Sequence, residues 1–473
     1  MQNPMSLNRI LVLSLLFLTG CFSHDTIYYV DSQSGNDTNP GTLTRPFKTI
    51  EKVNSLSLHA GNSVFFAGGQ TYTGTLQFKG LTGTKQLPLV IGSFGMGRAI
   101  VNGGTQNAVH VDSCSWLQMK NLILIGSGRL QGNTGSGIEF RKVQNCLIDS
   151  LEASGFLWSG VKAVGGSNLR ITNVYAHDNG FSGINVESDG LNAGGLEGSG
   201  KKTFHNLYIA NCVAENNPGC PAVKENHSGN GILIGGVTHG IIEYCEAKSN
   251  GWDMPREGNG PVGIWAYQSD SITIQYCYSH DNHTSEKGQD GGGFDFDGGM
   301  TNSVMQHNFT ANNEGAGYGL FQYPGASNWK NNIIRNNISY NDGRKNGQAG
   351  FLMWFENSLP EPMSDCQIYE NTVVNCYGHA VSFDPGNYPG FNFRNNIFLL
   401  TGHSLSFING NYTGATFAMN QAWSTNRKIQ LAFAEDKQVI FRDPKLHIPE
   451  SETDLPTNVQ EVNAMNFFKS KVK

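Results

Sequence analysis

The chain has 473 residues, 59 of them Gly, with 38% hydrophobic and 15% charged residues, which excludes a disordered polyelectrolyte and a coiled coil. Against 32 Lys and Arg stand 38 Asp and Glu, a formal net charge of −6 with no clustered basic run, so nucleic acid is excluded as an expected partner. The glycine content predicts many turns rather than long helices.

The chain opens with Arg9, an apolar stretch from Ile10 to Leu18, and the small-residue exit Leu18-Thr19-Gly20 ahead of Cys21. This pattern reads as an export signal over residues 1–20, because the apolar run is too short to span a bilayer. It resembles the lipobox of bacterial lipoproteins. That resemblance implies cleavage before Cys21, a lipid on the Cys21 thiol, a linker over 21–27, and a soluble body tethered to a bacterial membrane, at the cell surface or on the periplasmic face. An ordinary secretory signal is the alternative.

Next comes "YYVDSQSGNDTNPGTLTRPFKTIEKV", Tyr28 to Val53, which predicts a strand, a Gly/Asn/Pro loop and a short amphipathic helix capping the open end of a repeating body. From there the chain repeats. Cys212, Cys245 and Cys277 sit in the matching contexts "IANCVAENN", "IEYCEAKSN" and "IQYCYSHDN". The same context places Leu151, Val174, Asn308, Asn337, Asn371 and Asn396 in register with them, at intervals from 23 to 38 residues. Such a period means a solenoid or array, and β-branched or aromatic runs between Asn/Asp/Ser/Gly turns favour strands over helices. Equivalent residues then stack about 4.8 Å apart, which makes the cysteines a buried ladder of free thiols, continued by asparagines, rather than disulfides. The cap and repeats, over 28–420, resemble the right-handed parallel β-helix proteins of the pectate-lyase-like group, which includes lyases, glycosidases and uronan epimerases. The resemblance implies an all-β, right-handed parallel β-helix solenoid with an N-terminal cap, and 421–473 read as a C-terminal cap or tail.

In each coil one strand opens on a Gly or small residue, and period 2 then assigns alternate side chains outward. The outward set is Glu139, Arg141, Lys162, Asn185, Glu187, Leu233, Gly235, Trp265, Tyr267, Asp295, Asp297, Gly319, Phe321, Leu352, Trp354, Ser382 and Asp384. A surface stripe of carboxylates, a cation and aromatics is what a glycan groove needs. Asp295 and Asp297 form its centre, after the glycine run of "DGGG", with Tyr267 one rung from Asp297. His280, His283, Lys287 and Asp290 precede them and Glu314 comes after. Lys224, His227 and Arg256 fall in two insertions, 189–229 and 253–260, expected to wall the groove.

Resemblance to β-helix lyases implies β-elimination on a uronate-containing poly- or oligosaccharide, chain-cleaving or as a terminal dehydration. Tyr267, His280, His283 or Lys287 would take the C5 proton, and Asp295, Asp297 and Glu314 would hold Ca²⁺, a six- to eight-oxygen cation. Lys162, Glu187, Lys224, Trp265, Phe321, Trp354 and Asp384 are the expected substrate contacts. The lysine/arginine motifs of known lyase families and the polygalacturonase-like motif set are both absent. An inverting glycoside hydrolase using paired carboxylates is the alternative, and a surface glycan-binding protein a second. The expected partner is an acidic glycan, met by a monomer.

Overall fold

The computed structural model describes residues 26–191, 202–356, 363–426, 428–429, 439–446 and 454–464. The export signal and Cys21 lie outside the described residues. From Ile27 to Phe441 strands succeed one another in a single parallel ladder, each paired to its equivalent one coil later. Thus Val262–Tyr267 pairs with Gly292–Phe296, which pairs with Tyr318–Gln322, which pairs with Ala349–Phe355. The architecture is an all-β parallel β-helix with three faces.

The corners explain the asparagines. At the corner between the second and third faces one residue takes φ near +55°, as at Asn211, Tyr244, Tyr276, His307 and Asn336, and the next residue points inward. Asn tolerates that left-handed conformation better than most residues. The inward residues form the expected ladder. Cys212, Cys245 and Cys277 are buried and free, each thiol donating to a backbone carbonyl at 3.2–3.3 Å. Asn308 Oδ1 then accepts from Cys277 N, Asn337 Oδ1 from Asn308 N, Asn371 Oδ1 from Asn337 N and Asn396 Oδ1 from Asn371 N, each at 3.0 Å. A second ladder, not read from the sequence, runs along the corner that leads into the first face, through Asn179, Asn217, Asn250, Asn282, Asn313 and Asp342. Both ladders give buried backbone N–H groups at the corners the partners that strand pairing cannot supply.

Between the corners the inward positions are apolar. Phe294, Tyr318 and Phe351 stack on successive rungs at 5.4 and 5.1 Å, and the Tyr318 hydroxyl donates to the Asn308 and Ile338 carbonyls. Each such side chain contributes about 1.5–3 kcal/mol by burial. At the N-terminal end the helix Ile50–Asn54 starts at Thr49, whose hydroxyl accepts from Lys52 N, and buries Ile50 and Val53 in the same core. At the other end the ladder continues past 420, since Asn420–Ser424 pairs with Val439–Phe441. The short helix Val459–Ala464 returns to the third face, where Val459 N donates to Glu246 Oε2 at 3.0 Å and its side chain joins Tyr278 and Phe309. Among the described residues no helix is long and apolar enough to cross a membrane.

Candidate functional site

The first face carries the stripe in the register expected from period 2. One row runs Glu139, Lys162, Asn185, Leu233, Trp265, Asp295, Gly319, Leu352, Ser382, each the paired neighbour of the next. The adjacent row runs Arg141, Val164, Glu187, Gly235, Tyr267, and farther along Phe321 pairs with Trp354. Asp297 comes directly after the Gly292–Phe296 strand, its N–H donating to Ala266 O at 2.9 Å.

The stripe is not an open surface. Turns from both sides roof it and leave a cavity of about 380 Å³ over the aspartates. Its walls come from Glu225–His227, Arg256, Asn259–Gly260, Gln289–Asp290 and Asn346–Gln348, with Trp265, Tyr267, Phe321, Tyr323 and Trp354 as aromatic sides. Phe321 and Trp354 meet edge to face at 6.4 Å, and Trp265 and Tyr267 are tilted at 5.4 Å. Two glycines make room. A Cβ at Gly235 would sit 2.3 Å from the Tyr267 ring, and one at Gly319 would sit 2.7 Å from Phe321 and 3.2 Å from Asp295 Oδ1.

Five carboxyl groups line this cavity, and three of them, Asp290, Asp295 and Asp297, act on one another. Asp295 is 3% exposed and its Oδ1 has no hydrogen-bond partner. Burial, then the charges of Asp297 and Asp290, push its carboxyl well above the usual range, which favours its protonated form. Burial raises Asp297 to about 7, opposed by the bond from Gly298 N to its Oδ1 at 2.8 Å and reinforced by Asp290. Asp290 is raised to about 6 by burial, against the bond from Gly260 N and the attraction of Arg256. Asp290 and Asp297 keep part of their surface open to the cavity. The strand Gly292–Phe296 and the residue after it therefore bring two carboxyls with raised pKa values into one cavity.

His227 is held as a neutral donor. Trp265 Nε1 donates to Asn230 Oδ1 at 3.1 Å, which fixes the amide orientation, so Asn230 Nδ2 donates to His227 Nδ1 at 3.1 Å. An accepting Nδ1 leaves the proton on Nε2. Burial, with the nearby Arg256 charge, lowers its pKa to about 3, so this tautomer persists at neutral pH.

Of the residues expected at the site, Asp295, Asp297, Tyr267, Trp265, Phe321, Trp354 and Asp384 line this cavity, and Lys162 and Glu187 line a second one beside it. The others are placed elsewhere. His280 ends the third-face strand Tyr278–His280, stacked on Tyr278 at 4.0 Å with Nδ1 on Asp281 Oδ2 at 2.7 Å, because the chain turns a corner before reaching the aspartates. His283 pairs with Glu314 at 3.4 Å, and Thr284 N donates to Glu314 Oε2 at 2.8 Å. Lys287 pairs with Glu257 on the exposed surface, and Lys224 is exposed outside the cavity. Tyr267 is in place; burial, then Glu187, pushes its hydroxyl well above the ordinary tyrosine value, which favours the neutral phenol over the phenolate a base would need.

Glu314, engaged with His283 and Thr284, does not join Asp295 and Asp297, and among the described residues no three His, Cys, Asp or Glu side chains gather to hold a metal ion. Glu314 thus stands apart from the two aspartates with which it was expected to hold calcium. Tyr323, Gln289, Gln348 and Asn409 line the cavity without having been singled out from the sequence. Tyr323 lies two residues beyond the outward Phe321, so extending the period-2 count past the end of the strand would have found it.

No protein-family model matches the chain. Pectate lyase L of Paenibacillus polymyxa is 26% identical over 211 residues, which are 42% of this chain and 43% of that protein, so the chain matches under half the length of this curated relative. Among solved structures the GH136 lacto-N-biosidase of Eubacterium ramulus superposes with a TM-score of 0.58 at 18% identity, over 82% of this chain and 68% of that one. The A-module of a mannuronan C-5 epimerase from Azotobacter vinelandii gives 0.48 at 14% identity, over 81% and 91%. The fold is a pectate-lyase-like parallel β-helix.

Proposed function

We propose that the protein is a carbohydrate-active enzyme that hydrolyses a glycosidic bond in the Asp295–Asp297 cavity. The carrying observation is geometric: a buried carboxyl whose pKa is pushed well up and a partly open neighbour raised to about 7 share one cavity between aromatic walls. That is the division of labour a glycosidase needs. Asp295 gives its proton to the glycosidic oxygen as the bond to the anomeric carbon breaks. Asp297 takes a proton from the water that attacks that carbon from the opposite face. We take the reaction to be inverting, with the base activating a water on the face of the sugar opposite the acid.

The cavity chemistry weighs against the uronate elimination expected from the sequence. Besides Asp295, four further carboxyls, Glu225, Asp290, Asp297 and Asp384, line it against Arg256. A substrate carboxylate placed there would meet like charge wherever these are ionised, where elimination needs its charge neutralised. The same balance favours a neutral glycan over an acidic one. The elimination reading retains one support, the similarity to a pectate lyase over 211 residues.

Incubation with neutral and uronate-containing oligosaccharides separates the two. New reducing ends, a gain of water in mass and an inverted anomer support hydrolysis. Products with the ultraviolet absorbance of an unsaturated uronate and no gain of water overturn it in favour of elimination.

A further inference from the structure

Beside the catalytic cavity, and sharing Asn226 with it, lies a second cavity of about 340 Å³ on the same face. Its floor is Asn185 and Glu187, on the strand Ser182–Glu187, three rungs from the Asp295 strand. At one rung spacing per step the two floors are about 14 Å apart along the groove, a distance that several linked sugar units cover. Trp158 stands at the side, partly exposed, tilted against Phe181 at 5.9 Å, with Lys162 Nζ 5.9 Å from its ring.

Asn185 is the telling residue. It is 2% exposed, its Nδ2 donates to Glu187 Oε1, and its Oδ1 is buried without a partner, in a residue that lines the cavity. A buried acceptor left unpaired is destabilising, and the group that satisfies it must be a donor such as a sugar hydroxyl or amide N–H. Arg141, Lys162, Glu187 and Asp189 line this cavity; Arg141 is engaged by Glu139 at 3.2 Å and Asp189 by Lys142 at 3.4 Å, which leaves Lys162 beside Glu187. A neutral unit fits that balance. An aromatic side, a buried acceptor and balanced charge are the elements of sugar recognition.

We propose that this cavity is a distal subsite that binds a neutral sugar unit of the same chain whose bond lies over Asp295 and Asp297. The proposal rests on the glycan-cleaving reading only for what occupies the neighbouring cavity. Binding is measured by calorimetry with the full-length Asp295→Asn protein, which holds glycan without turning it over. The probes are neutral gluco-, galacto-, manno- and N-acetylhexosamine-containing oligosaccharides from disaccharide to hexasaccharide, and oligogalacturonates of the same lengths.

At least one neutral series gains affinity by about tenfold or more from its shortest to its longest member, the worth of one buried hydrogen bond with its stacking contact. Adding Asn185→Ala or Trp158→Ala reduces that gain to about threefold or less. Trp158 is partly exposed, so its replacement leaves the fold intact, and an unchanged melting temperature checks this. No length-dependent gain with any neutral series overturns the proposal, as does a gain that survives both replacements. A gain confined to oligogalacturonates overturns the neutral assignment. Loss of hydrolysis with the gain retained would remove the proposed reaction and leave the subsite standing; hydrolysis without the gain would do the reverse.

Discussion

Replacing Asp297 by Asn should make the protein more stable at pH 8 while removing its activity. The folded protein holds the Asp297 carboxyl at about 7, against an ordinary value of 3.8 for the free group. An acid whose folded pKa is raised contributes most to stability below the unfolded pKa, and that contribution is lost as pH rises from about 3.8 to about 7. A difference of about three pH units at 1.36 kcal/mol each gives an upper bound of roughly 4 kcal/mol. Because Asp297 keeps part of its surface in the cavity, water screens some of this, and about 2–4 kcal/mol is expected. Asn keeps the size and the Oδ1 that accepts from Gly298 N, so packing does not obscure the effect. Removing the Asp297 charge also relieves Asp295, in the same direction. Urea unfolding of both proteins at pH 4.5 and pH 8, with equal m-values, reads the difference. The variant should gain little at pH 4.5 and the full amount at pH 8, with turnover down by about 10²-fold or more. A variant less stable than wild type at pH 8, or equally stabilised at both pH values, refutes the assignment of a buried, strained carboxylate.

Asp290→Asn removes a negative charge that raises both carboxyls proposed as catalytic, so the acid limb of kcat/KM should move down from near 7 by about one pH unit; a limb that stays in place refutes the coupling. Asn337→Ala removes the acceptor of Asn308 N and the donors to Met305 O and Asn371 Oδ1, and should lower the urea midpoint by the equivalent of about 3 kcal/mol with m unchanged. If Cys21 carries the proposed lipid, the native protein fractionates with membranes and Cys21→Ser releases it or stalls its processing; a wild type wholly soluble outside the cell overturns the anchor.

The fold was legible because a β-helix writes its registers into the chain. Small residues opening each first-face strand set the phase, and period 2 then gave Lys162, Asn185, Trp265 and Asp295 as members of one stacked row, which they are. The Cys212–Cys245–Cys277 context was visible because a buried corner admits few side chains. The second ladder was equally visible in "HDNG", "KSNG" and "HDNH", where a φ > 0 residue precedes an inward Asn, but those segments read as plain turns. His280 misled for the same reason. It lies 15 residues before Asp295 in sequence, but a corner intervenes, and only strand pairing shows that it belongs to the third face.

What alternation cannot carry is depth. A period-2 strand gives the side to which Asp295 points, but whether water reaches it depends on turns from other coils, among them Glu225–His227, Arg256 and Asn346–Gln348. Those turns change the chemistry of the same residues. On an open face Asp295 and Asp297 would both be ionised, fit for a cation and unable to donate a proton, and Tyr267 would remain a conceivable base. Beneath the roof burial raises all three, which disfavours the phenolate of Tyr267 and favours the protonated form of Asp295. The proposed hydrolysis therefore rests on the covering loops rather than on the stripe, and shortening the roof should erode the acid character of Asp295 before it erodes the fold.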